Sequence, residues 1–202
     1  MTAALRLVRR FWYLPVLALL IGLRPSLAGA QDPSAKDASK AKPQYIGAEA
    51  CKLCHSRKSV GSQFKIWKEE KHAKAFETLG SAKAKEQAAK LGIADPQKEE
   101  KCLKCHVTGQ GQSPEAFAKT FKAEEGITCE ACHGPASLYV EEANHTHEAA
   151  KSDKFGLLHP DEKTCLKCHN KESPNYKEFN YKEFLEKIKH PLPKDKSKET
   201  GK

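Results

Sequence analysis

From Tyr45 onwards the apolar positions recur at helical rather than alternating spacing. Val60, Phe64, Trp67, Phe76 and Leu79 fall near one face of a helix predicted over Val60 to Leu79, with Gly80 as its stop. Ala82 to Leu91 reads as a mostly solvated helix of Ala, Lys, Glu and Gln, closed by Gly92. Ser113-Pro114 offers an N-cap and a first-turn proline for a short helix carrying Phe117 and Phe121. Tyr139 to Ala150 is expected to be helical. Tyr176 to His190 repeats YKEF (176–179 and 181–184) and sets Phe184, Leu185 and Ile188 on one stripe, until Pro191 ends it. No segment alternates like a strand, so the expected fold class is mostly α, helices and loops with little or no β-sheet.

The two ends follow other patterns. Met1 to Arg10 carries Arg6, Arg9 and Arg10 and no acid, and Phe11 to Leu23 is apolar. That run is shorter than the roughly 20 residues of a membrane span. Ala28-Gly29-Ala30 then supplies small residues for cleavage before Gln31. Residues 1–30 are therefore expected to be a signal peptide, with an uncleaved anchor as the alternative, and the expected location is the periplasm. Residues 31–43 are small and polar and read as a flexible leader, and 194–202 as a disordered tail. Residues 44–193 remain as one folded domain.

Composition makes that domain unusual. The chain has 202 residues, of which 39% are hydrophobic, 7% aromatic and 30% charged. An ordinary aliphatic core would be thin, so another source of apolar mass is needed. The net charge of +9 suggests a nucleic-acid partner, but Arg6, Arg9, Arg10 and Arg24 in the export segment account for nearly half of it.

Cys-x-x-Cys-His occurs four times: CKLCH at 51–55, CLKCH at 102–106, CEACH at 129–133 and CLKCH at 165–169. These motifs use all eight cysteines, namely Cys51, Cys54, Cys102, Cys105, Cys129, Cys132, Cys165 and Cys168. This is the attachment signal for c-type haem. Two cysteines three apart share one side of a helical turn and can form thioethers to the two vinyl groups. The next residue, His55, His106, His133 or His169, can then ligate the iron from the same face. Zinc sites, disulfides and redox dithiols also use paired cysteines, but none requires His after every pair. Four covalently bound haem c groups are the expected cofactors, stacked, with helices and loops wrapped around them as the missing core. Their propionates add about eight negative charges, which removes the case for nucleic acid.

The only methionine is Met1, within the export segment, so His/Met ligation is excluded for the processed chain. The distal candidates outside the motifs are His72, His145, His147, His159 and His190. His72 follows His55 by seventeen residues and, on a continuous helix, would serve a haem other than that of His55. His190 ends an amphipathic helix, as an inward ligand would. His145 and His147 point in nearly opposite directions on a helix, so one of them is expected to ligate. His159, before Pro160, reads as structural or exposed.

YIGAEACKLCH at 45–55, the Trp67–Phe76 segment WKEEKHAKAF, CHVTGQGQ at 105–112 and GITCEACHGP at 126–135 together resemble the tetrahaem cytochrome c-554 family, over about Tyr45 to His190. The resemblance implies a distal ligand from His145 or His147 for the haem at His55, His72 for that at His133, and His190 for that at His169. It implies none for His106. Here the stretch after Gly134-Pro135 departs from the family in length.

The leading expectation is an electron-transfer protein working between redox partners. One alternative is a reductase of a small gaseous molecule of the nitric oxide type, bound at an open iron on His106. Another is a haem subunit of a membrane respiratory complex, loosely or firmly membrane-associated. No set of acid/base groups is recognisable beside His106, which favours a carrier over an enzyme.

Overall fold

The structure is a computed structural model that describes residues 41–141 and 152–191. The chain divides into two units, Met1–Lys40 and Ala41–Lys202, and every described residue belongs to the second. The expected signal peptide (1–30), most of the expected leader, His145, His147 and the expected tail lie outside the described residues.

Eight short α-helices are described: α1 (Glu49–His55), α2 (Gln63–Glu69), α3 (Ala75–Leu79), α4 (Ala82–Lys90), α5 (Glu100–His106), α6 (Cys129–His133), α7 (Glu162–Leu166) and α8 (Tyr181–Ile188). Single 3-10 turns lie between some of them, and the one β-type contact among the described residues is an isolated parallel bridge, Tyr45 to Phe117. The mostly α class is thus what the chain adopts. Helices of five to nine residues are too short to persist alone. Tertiary contacts must hold them, yet the buried apolar set among the described residues is only Ala48, Phe64, Leu79, Ala88, Val107, Ala136 and Tyr139.

The helix predicted over Val60 to Leu79 is instead two helices with a break at 70–74. Glu70 turns extended (φ −78°, ψ 161°), and α3 begins at Ala75. The break frees the His72 carbonyl, which accepts from Ala75 N at 3.1 Å and Ile127 N at 3.0 Å. The Trp67 indole N–H donates to the Ile127 carbonyl at 2.8 Å. The segment carrying His72 is therefore docked on the Gly126–Ile127 stretch that leads into the third motif. Hydrophobic spacing continued in register across the break, so periodicity alone could not reveal it.

Other expectations shift in smaller ways. The helix at 82–91 is present, capped by Ser81 Oγ on Ala84 N at 3.2 Å. The Ser113-Pro114 helix is a single 3-10 turn, Pro114–Ala116. Phe117 and Phe121 lie past it and pack on each other and on Tyr45, the Tyr45 and Phe117 rings stacking at 5.5 Å. Residues 139–141 are turn and bend, and the rest of the helix expected to Ala150 lies outside the described residues. The C-terminal helix starts at Tyr181, capped by Asn180, so the first YKEF repeat is not helical.

Candidate functional site

Each Cys-x-x-Cys-His motif sits on a short helix. The first three lie wholly within α1, α5 and α6, each helix ending at its motif histidine. The fourth starts in α7, with Cys168 and His169 in the turn and bend beyond it. Asp161 caps α7 reciprocally with Thr164, which fixes where that motif begins. None of the eight cysteines is in a disulfide. Among the described residues no group of three or more His, Cys, Asp or Glu side chains converges as a bare metal ion would need.

The motif histidines are oriented by their inner nitrogens. His106 Nδ1 meets the Ala75 carbonyl at 2.6 Å, and His133 Nδ1 meets the Leu158 carbonyl at 3.2 Å. A carbonyl only accepts, so Nδ1 carries the proton and the Nε2 lone pair is left to bind a metal. His55 Nδ1 lies 3.3 Å from Gln63 Oε1. The Gln63 amide is fixed in that sense because its nitrogen donates to the Pro191 carbonyl at 2.9 Å. The same glutamine therefore ties His55 to the residue after His190. The His169 ring is clamped by aromatics instead, stacked on Phe179 at 4.6 Å and tilted against Phe184 at 6.4 Å.

Two pairs of imidazoles face each other. His72 and His169 have ring centroids 6.1 Å apart, and His133 and His190 have centroids 6.0 Å apart. Two imidazoles sharing one metal through nitrogens at about 2 Å stand roughly 6 Å apart between centroids. All four rings are pushed below the ordinary histidine range, chiefly by burial, His72 also by His169 and His133 also by His190. Burial thus favours the neutral, ligating form. His159 turns its Nε2 to Asp153 Oδ1 at 2.9 Å on the surface.

The motifs also lie close to one another. The Cys51 and Cys129 side chains are close neighbours, as are those of Cys105 and Cys168. Cys132 is an electrostatic neighbour of Cys165 and Cys168. Proximity therefore runs from the first motif to the third, fourth and second.

The family description "Cytochrome c554 and c-prime" matches residues 50–134. Residues 50–134 are thus similar to the cytochrome c-554 family. Cytochrome c-554 of Nitrosomonas europaea is 33% identical over 120 residues, which is 57% of this chain and 48% of that protein. The chain thus spans about half the length of this curated relative. No solved structure matches it.

A c-554-type cytochrome carries covalently bound c-type haem, and the donor set fits that group. Paired cysteines lie on single helical turns, three motif histidines have their Nδ1 engaged, and two imidazole pairs stand at the spacing of a shared iron. The resemblance implies His72 for the haem at His133 and His190 for that at His169, and the ring neighbours in this structure are different, with His190 also beside His55. His72 faces His169 rather than His133, and His190 faces His133 rather than His169. The break at 70–74 redirects His72, and the Gln63 bridge brings the His190–Pro191 end to the first motif. Around His106 no second imidazole ring packs among the described residues. An open cavity of about 500 Å³ lies between α3, α4 and residues 175–177, lined by Thr78, Ser81, Gln87, Tyr176 and Lys177 among others, and by no motif residue. Sequence reading gave no hint of Gln63, or of the Ala75 and Leu158 carbonyls, as partners of motif histidines, because carbonyl acceptors carry no side-chain signature.

Proposed function

We propose that this chain is an exported tetrahaem c-type cytochrome that carries electrons between redox proteins in the periplasm. The haem irons supply one-electron chemistry. The chain supplies thioether anchors at its eight cysteines, iron ligands at His55, His106, His133 and His169, and distal ligands at His72 and His190. A further distal ligand for His55 comes from His145 or His147. The observation that carries the reading is the order in which the motifs neighbour one another, first to third to fourth to second. It supports a row of redox groups held close enough for rapid transfer between neighbours, which a carrier needs. Among the described residues no helix is long and apolar enough to cross a membrane.

A second reading is favoured by one observation: the His106 ring has no imidazole partner among the described residues. An iron held there would bind small molecules and could reduce them.

The deciding experiment is mass and electronic spectroscopy of the purified holoprotein, followed by its oxidation rates with redox proteins and with small nitrogen oxides. Four haem masses on a chain starting at Gln31, with faster exchange to a protein partner, support the carrier. A faster turnover of nitrogen oxides supports the reductase. Bound zinc in place of haem removes both.

A further inference from the structure

Glu130 lies between Cys129 and Cys132 inside the third motif, yet it is 1% exposed. Both its oxygens accept backbone N–H groups. Oε1 takes Ile46 and Ala136, each at 2.9 Å, and Oε2 takes Gly47 at 2.8 Å and shares Ile46 at 3.1 Å. Glu125 Oε2 takes the next amide, Ala48, at 2.6 Å. Three successive amides, immediately before the first-motif helix, therefore end on two carboxylates from the third-motif segment. Gly47 at φ +87° lets these N–H groups converge into a concave anion site. Helix α1 starts one residue later, so the lock sits at the base of Cys51.

The arrangement suits an ionised carboxylate. Every donor is a backbone N–H, and among the described residues no ion pair reaches Glu130. Burial raises its pKa, and the N–H bonds from Ile46, Ala136 and Gly47 oppose the rise. Glu130 and Glu125 are also charged neighbours of both Cys51 and Cys129, the two side chains that neighbour each other across the motifs. A negative charge disfavours adding an electron to a nearby iron and so lowers its potential.

Building on the four-haem reading, we propose that Glu130 is a positioning residue for the first and third redox sites. It locks the strap before Cys51 onto the segment bearing Cys129, and its fixed charge, supported by Glu125, lowers the potential of the groups held at both. Redox titration of the holoprotein, resolved haem by haem at a pH above the carboxylate range, tests this with Glu130→Gln. The variant keeps four haem masses, two of the four midpoint potentials rise, and the other two stay. Amide exchange quickens at Ile46, Gly47 and Ala136. Glu130→Asp keeps the charge with a shorter reach, so exchange quickens while the potentials move less. Unchanged potentials in a fully loaded Glu130→Gln protein overturn the proposal, and so does an equal shift of all four. If that variant fails to mature, Glu125→Gln stands in, since it removes a charge from the same strap and frees only the Ala48 amide. A rise at the same two sites then supports the proposal, and no change overturns it. The wild-type haem mass is read separately. A deficit there counts against the four-haem reading, while amide exchange in the variants still decides the lock.

Discussion

The imidazoles of His72 and His169 face each other with ring centroids 6.1 Å apart and planes at 79°. This pairing depends on the break between α2 and α3, because a continuous helix would have carried His72 past on its own axis. His72→Ala is expected to convert the haem on Cys165 and Cys168 to high spin, with all four haems still attached. His190→Ala is expected to do the same to the haem on Cys129 and Cys132. Assignment of the haem methyl resonances in each variant reads the result. The opposite assignment restores the pairing implied by the family resemblance.

Gly126 holds the segment that positions His72. Its φ is +73°, and a Cβ there would stand 2.8 Å from the His72 carbonyl oxygen, a backbone atom that cannot swing away. Gly126→Ala is expected to cost about 1–3 kcal/mol through backbone strain alone. Denaturant unfolding of the holoprotein measures the loss. The low-spin signal assigned to His72 should weaken in the same variant, whereas a stability change without any spectral change would separate the segment from the site.

Much of this site could be read from the chain before its fold. Four Cys-x-x-Cys-His motifs are local, so their cysteines and histidines needed no tertiary information. The thin core followed from composition in the same way. The pairing of distal histidines did not follow, because it depends on contacts between residues far apart in sequence. His190 lies near both His133 and His55, and Gln63 touches both His55 and Pro191. The break at Glu70 was hidden because Phe76 and Leu79 resume the spacing set by Phe64 and Trp67. Glu130 was hidden for the opposite reason: a charged residue between two cysteines reads as exposed, and two of its three partners are backbone amides more than eighty residues earlier in the chain.

The ring of His169 is held by Phe179 at 4.6 Å and 17°, and by Phe184 at 6.4 Å. Among the described residues its Nδ1 has no carbonyl anchor of the kind seen at His106 and His133, so the aromatic clamp sets the ring plane. Such ring contacts are worth about 0.5–1.5 kcal/mol each beyond the area they bury. Phe179→Ala should therefore destabilise the protein by at least that amount. It should also broaden the low-spin signal of the fourth haem more than the others, as seen by electron paramagnetic resonance. Phe179→Leu restores bulk without the ring face and is expected to recover stability but not the sharp signal.

His106 is anchored on one side by the Ala75 carbonyl and has no imidazole packed against its ring among the described residues. Of the five histidines outside the motifs, His72 and His190 face other motif histidines. His159 has its Nε2 bound to Asp153 on the surface, with an exposed ring. His145 and His147 lie outside the described residues, and the resemblance assigns one of them to the haem at His55; on that assignment the iron held by His106 is expected to be five-coordinate. About a quarter of the haem should be high-spin in the oxidised protein, and the reduced protein should bind nitric oxide at that one site. His159→Ala should leave both signals unchanged, because its ring is committed to a carboxylate at 2.9 Å rather than to a metal. The variant should lose only that exposed contact, worth at most about 1 kcal/mol. A fully low-spin oxidised protein in which His159→Ala creates a new high-spin haem would instead make His159 the sixth ligand, and the small-molecule reading would lose the open site on which it depends.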